Sequence, residues 1–257
     1  MTKPIVGTEL SRQRAINLMW LVAVLAIAIV IVDQVVKIWV KTSFYMGEDL
    51  PITSWWHLKF IENNGMAFGL ELWNKYVLTF GRIIAVCAFI WFVFKIRYAP
   101  NVRTGFFVAM ALITAGAAGN IFDCVFYGRI FDNPMPPQIA TAFPDDGGYA
   151  GWFEGRVVDM MYFPLFDFYW PEWIPGIGGT YFEFFQYIFN IADASICIGV
   201  ALLIFFYSSD ASAAFAYFTR KNVVAEEAGN ESTDINSEGH PSPNDKQERK
   251  ENKRKTR

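Results

Sequence analysis

The sequence predicts a membrane α-helical fold, with four transmembrane helices and a small extracytoplasmic β-rich cap or cradle. Three observations lead there. Four apolar segments, about residues 16–39, 76–94, 105–122 and 188–207, each approach the roughly 20 residues that cross a hydrocarbon core. Of the 257 residues, 53% fall in the broad hydrophobic set and only 18% are charged, which is poorer in charge than an ordinary soluble domain. Two long segments between the spans carry strand-like patterns and turn residues, enough for a small cap.

Residues 1–15 form a polar flank in which Lys3, Arg12 and Arg14 precede the first span. That arrangement resembles a signal peptide, but the apolar run is long and no clean small-residue cleavage site follows it, so a retained helix is expected. The core runs over residues 16–208 and includes outside segments 40–75 and 125–187. In the first of these, "SWWHLKFIENNGMAFGLELW" has aromatic anchors, a strand-like approach and a turn at Asn64 and Gly65. Lys95, Arg97 and Arg103 lie between spans two and three, and Arg220 and Lys221 follow span four. Basic residues favour the cytoplasmic side of short flanks, so both termini are expected inside and the two long segments outside. Arg82, within span two, lies near enough to its outer end to snorkel.

Segment 125–187 holds a Pro/Gly-rich stretch, "FDNPMPPQIATAFPDDGGYAGWFEG", and then dense aromatics suited to an interfacial platform at headgroup level. It has two basic residues, Arg129 and Arg156, against eight acidic ones. A membrane-proximal flank follows at 209–220. Residues 221–257 hold eight basic and eight acidic residues with no aromatic, the composition of a disordered cytoplasmic tail.

Composition also excludes some functions. A net charge of −3, with no basic stripe interleaved with aromatics, gives no reason to expect nucleic acid. Cys87, Cys124 and Cys197 read as small buried hydrophobes and offer no disulfide framework. His57 and His240 are far apart and outside any metal-binding pattern, so no metal and no cofactor is expected.

The unusual polar residues collect at the outer ends of the spans. Asp33 and Lys37 stand at i and i+4 and share a helix face as a potential ion pair. Asn120 and Asp123 end span three, Asp159 closes the extended run "GRVVD", and Asn190 and Asp193 open span four. Two carboxylates brought together cannot both ionise cheaply, so Asp159 and Asp193 would share a proton, one serving as base toward water and the other as acid toward a carbonyl oxygen. The same residues also fit a helix cap at Asp193 and a turn end at Asp159. A third reading is a small transporter or proton-coupled channel lined by membrane-embedded Asp and Lys; it would spread titratable groups through membrane depth, whereas these crowd near one face.

Five ordered stretches, "DQVVK" (33–37), "NNGMAFG" (63–69), "GAAGNIFD" (116–123), "GRVVDM" (155–160) and "FNIADASI" (189–196), resemble the bacterial lipoprotein signal peptidases, or signal peptidase II family. The resemblance extends from about residue 15 to 208 and leaves the tail uncovered. It implies a four-span aspartyl endopeptidase of the bacterial inner membrane whose active site lies near the outer face. The substrates implied are diacylglyceryl-modified prolipoproteins, cut immediately before the lipidated cysteine, with membrane lipids as the other partner and a monomer as the functional unit. It places the catalytic roles on Asp159 and Asp193. Asp33, Lys37, Asn63, Gly65, Asn120, Asp123, Asn190 and Ala192 match supporting or substrate-binding positions. Gly119 would permit close backbone approach or helix packing. One departure stands out: the family pattern continues Asp-Arg where this chain has Asp123-Cys124, which leaves Arg129 or Arg156 as candidate compensating cations. Cys124 itself has no adjacent histidine to activate it and reads as a core thiol.

Overall fold

The computed structural model describes residues 7–64 and 75–220, with side chains from residue 12 onward. Gly65, most of the "NNGMAFG" stretch and the tail 221–257 lie outside the described residues.

Helix α1 (Gly7–Lys41) overruns the expected first span at both ends. Its solvation pattern is inside out. Trp20, Val24, Ile27, Val35 and Trp39 are exposed, whereas Asp33, Gln34, Lys37 and Lys41 are buried. That is what a bilayer demands, because lipid tails accept aliphatic side chains and leave ionisable ones only the protein interior. The chain then forms β1 (Asp49–Pro51) and β2 (His57–Asn63) before α2 (Lys75–Ile96) and α3 (Thr104–Phe122). Helix α3 continues past its expected end through a π-type turn at Asp123–Tyr127 and a short turn α4 (Gly128–Ile130). Asp123 therefore sits inside a continuous helical segment, buried, and not at a span's exposed end.

The cap is two small open sheets. Strands β3 (Val157–Tyr162) and β6 (Ile188–Phe189) join β1 and β2 in the order β1-β2-β3-β6, and β4 (Phe166–Tyr169) pairs with β5 (Tyr181–Phe184) as a separate hairpin. Strand β3 is buried along Val157, Val158, Asp159 and Met160, which explains its unbroken apolar reading, and it runs on past Asp159 to Tyr162. The β4-β5 hairpin exposes Phe166, Tyr169, Trp173 and Tyr181.

The fourth apolar segment departs most from expectation. It opens with β6, and only α5 (Ile191–Phe206) is helical before a bend of 89° into α6 (Ser208–Arg220). The described residues thus hold three helices long and apolar enough to cross a membrane, and a fourth span if the bent pair counts as one. Helix α6 packs beneath the bundle, where Ala214 joins Leu18, Val93, Ile96 and Phe106. At that end Arg14 donates to the Val102 carbonyl at 2.7 Å and Arg103 pairs with Asp210 at 2.6 Å.

Helices α3 and α5 form the most extensive helix contact. A Cβ at Gly116 would stand 2.2 Å from the Ala192 carbonyl oxygen, and one at Gly199 would stand 2.8 Å from the Ala109 carbonyl oxygen. Small residues let the two backbones touch. The cysteine expectation is corrected in part: Cys124 is buried, but Cys87 and Cys197 are exposed on helix faces, because an apolar run in a membrane protein can point outward as readily as inward.

Candidate active site

The polar residues of α1 form the floor of the site. Lys37 Nζ lies 2.9 Å from Asp33 and 2.7 Å from Asp123, all three essentially without exposure. It also donates to Asn120 Oδ1 at 2.8 Å. Gln34 donates to Asp123 at 2.8 Å and accepts from the Tyr127 hydroxyl at 3.0 Å. A buried cation between two carboxylates holds only because each group also finds hydrogen bonds. Gly119 belongs to the same arrangement, since a Cβ there would fall 2.8 Å from Asp33 Oδ2.

The floor is tied to α5 through that helix's first turn. The Ala192 backbone N–H donates to Asp33 at 2.9 Å, and the Asn190 side chain, as N-cap, accepts from the Asp193 N–H at 2.9 Å. Two of the donors left open at a helix start are met in this way. Ala192 is fully buried against α3.

Two amides then carry the network to the two carboxylates. Asn120 donates to Asp193 Oδ1 at 2.7 Å, Asn190 donates to Asp159 Oδ1 at 2.7 Å, and Asn190 also donates to Asn120 Oδ1 at 3.2 Å. The orientation of Asn120 follows from its partners, since its oxygen faces the Lys37 ammonium and its nitrogen a carboxylate. Asp159 and Asp193 open on a single cavity of about 720 Å³, with Asn63 and Asn120 beside them and Phe185, Ile188 and Phe189 forming an apolar wall.

Burial, and secondarily the negative charge of Asp193, pushes the Asp159 carboxyl up to about 7, against opposing hydrogen bonds from Asn190 and Asn63 and the Lys37 charge. Asp159 therefore holds its proton far more readily than an ordinary carboxylate. In strand register Asp159 stands opposite Ile61, and Asn63 opposite Val157. The β2-β3 pairing is what delivers Asn63 to the cavity.

Of the residues expected at the site, Asp33, Lys37, Asn63, Asn120, Asp123, Asp159, Asn190, Ala192 and Asp193 come together. The two candidate compensating cations do not reach the cavity. Arg156 binds Glu62 at 3.1 Å and lies over the Tyr149 ring, while Arg129 is exposed. Among the described residues lining the cavity, the cation is Arg82, whose Nη1 lies 3.8 Å from Cys124 Sγ. It turns inward to the cavity where snorkelling was expected.

Sequence reasoning also missed Gln34 and the cluster around Lys41. Lys41 pairs with Glu62 and sits 5.3 Å from each of the Phe131 and Tyr149 ring centroids. The signal was present, since Lys41 repeats the i, i+4 step from Asp33 through Lys37 on one helix face.

A family model described as signal peptidase (SPase) II matches residues 25–208. The chain is 45% identical over 186 residues to a lipoprotein signal peptidase of Porphyromonas gingivalis, covering 72% of this chain and 82% of the relative. It is 34% identical to one of Amoebophilus asiaticus, covering 70% and 74%. A solved bacterial membrane enzyme aligns over 74% of this chain and 89% of its own, at 25% identity and a TM-score of 0.49. On the family match and the two sequence relatives, the chain belongs to the signal peptidase II family and is an intramembrane aspartyl peptidase of that family.

Proposed function

We propose that this enzyme hydrolyses the signal peptide of diacylglyceryl-modified prolipoproteins immediately before the lipidated cysteine, with Asp159 and Asp193 as the catalytic pair. The observation that carries this reading is the common cavity. Two carboxylates from separate elements open on it, linked by hydrogen-bonded amides, and one of them is held near neutrality.

The chemistry follows from the pair. Asp193 takes a proton from water as its oxygen adds to the scissile carbonyl carbon, and Asp159 gives its proton to the carbonyl oxygen, producing a neutral gem-diol. As the C–N bond breaks, Asp193 passes its proton to the leaving amine and Asp159 recovers one from a gem-diol hydroxyl. No covalent acyl-enzyme forms, and both carboxyl groups return to their starting states. The apolar wall strengthens each electrostatic contact by excluding water. Asn63, Asn120 and Asn190 hold the carboxyl groups, while Lys37, itself held between Asp33 and Asp123, holds Asn120.

The enzyme acts as a monomer in the bacterial inner membrane, with both termini cytoplasmic and the cavity near the outer face. Supporting this orientation, Arg14, Lys95, Arg97 and Arg103 flank the spans at the end away from the cap. The test is reconstituted cleavage of a lipidated precursor. Asp159→Asn and Asp193→Asn should each cut turnover by more than about 1000-fold while the folded protein still binds an uncleavable lipidated precursor. Near-wild-type turnover by either folded variant rejects the dyad.

A further inference from the structure

We infer that Arg82 is a substrate-binding residue of this cavity, supplying from α2 the cation that the chain lacks at Cys124. Arg82 is the one charged residue between Lys75 and Lys95 in an otherwise apolar helix. A charge within a membrane span is costly to insert, so its side chain goes where polar company or water compensates. That place is the cavity holding Asp159 and Asp193. The guanidinium rests against Cys124 of the α3 segment, with Nη1 at 3.8 Å from the thiol sulfur. Cys124 is small and buried, and it directly follows Asp123 of the Lys37 cluster. The space that a long cation at residue 124 would need is therefore reached by an arginine arriving from the opposite side. Neither of the other two candidates lines this cavity, Arg156 lying against Glu62 and Arg129 being exposed.

The chemistry of the cavity sets what Arg82 recognises. Its wall of Phe185, Ile188 and Phe189 offers a bound chain no side-chain hydrogen bonds. A guanidinium presents five donors and no acceptor in a fixed planar fork, so it suits carbonyl oxygens that an apolar wall would otherwise strip of partners. A precursor lying in the cavity brings two kinds of carbonyl, the peptide backbone and the glyceryl esters of its lipidated cysteine. Arg82 holds such carbonyls while the carboxylates act on the neighbouring bond. This inference rests on the proposed precursor-cleaving role of the cavity and adds the residue that anchors the precursor there.

The experiment separates binding from turnover in vesicle-reconstituted enzyme, so that failure of the dyad and failure of this inference are distinguishable. The probe is an uncleavable precursor peptide with a diacylglyceryl cysteine, compared with the same peptide carrying ether-linked chains that lack ester carbonyls. Arg82→Met should raise Kd and KM by about 10- to 100-fold, the usual range for a lost charge-assisted hydrogen bond, with kcat within about threefold. Arg82→Lys, which keeps the charge without the fork and guards against a folding defect, should fall between the two. In the double variant Arg82→Met with Cys124→Arg, a cation returns from the α3 side and should recover about tenfold of the lost affinity. Equal weakening on both probes assigns the contact to the peptide carbonyls, and weakening on the ester probe alone assigns it to the esters. Wild-type Kd and KM in folded Arg82→Met, or a loss confined to kcat, overturns the inference.

Discussion

Asn190 donates a 2.7 Å hydrogen bond to Asp159. The donor is the N-cap of α5 and the acceptor lies on β3, so the bond joins the cap to the bundle at the cavity itself. The same side chain accepts from the Asp193 backbone N–H. One residue thus fixes the start of α5, which carries Asp193, and the carboxyl facing it. The cap of α5 is thus Asn190 and not Asp193, as the sequence alone allowed, which leaves the Asp193 side chain to accept from Asn120 at the cavity.

The elevated Asp159 carboxyl predicts a pH dependence of both activity and stability. Its ordinary value is 3.8 and its folded value about 7. A group raised in the folded state contributes stability that is full below the ordinary value and is lost as pH rises through the folded one. The melting temperature of detergent-solubilised enzyme should fall between about pH 4 and 7, and Asp159→Asn should flatten that slope. Turnover should show a basic limb near neutrality that belongs to the coupled pair and to neither residue alone. A wild-type melting temperature that rises over this window contradicts the assignment.

Lys37 is the cation between Asp33 and Asp123. Lys37→Met should destabilise the protein by about 3 to 5 kcal/mol, because two carboxylates are left buried without their counter-ion. Adding Asp123→Asn should restore part of the loss by removing one of them. Thermal unfolding of the two variants beside wild type measures this, and a double variant no more stable than the single one would show that the pairing is not what Lys37 supplies.

Gly116 is a close-contact position and Gly81 is open. A Cβ at Gly116 meets the Ala192 carbonyl oxygen at 2.2 Å, whereas nothing lies within 4 Å of one at Gly81. Gly116→Ala should cost about 1 to 3 kcal/mol and reduce turnover by forcing α3 from α5, where Asn120 and Asp193 meet. Gly81→Ala should leave both unchanged. Parallel melting curves and cleavage rates decide it, and equal behaviour of the two variants would refute the close-packing account.

Removing residues 221–257 should leave cleavage within about threefold of wild type, because a polar, charge-balanced segment without aromatics cannot build part of a packed site. Turnover at matched enzyme amounts is the measurement. A 100-fold loss without misfolding would place the tail within the working enzyme.

By itself the sequence determined the membrane class, the four apolar segments and the polar stretches that meet at the cavity, because the bilayer penalises charge so strongly that the Asp and Lys residues at the outer ends of the spans announce protein-facing positions. The extended run "GRVVD" was legible too, being local in origin, whereas the helix cap expected at Asp193 falls on Asn190, whose side chain accepts from the Asp193 N–H. What only the tertiary structure decided were relations between distant elements. Asn63 reaches the cavity through strand register with Val157, and Arg82 faces Cys124 from another helix. The break of 89° after α5 turns on helix packing at the bundle end, where Ala214 is buried. Arg129 and Arg156 looked equally able to replace the cation absent at residue 124, since composition cannot say that one points outward and the other is bound to Glu62. Local chemistry is written along the chain, but which wall supplies a charge depends on how helices and strands meet, and that is set by packing summed over the whole fold.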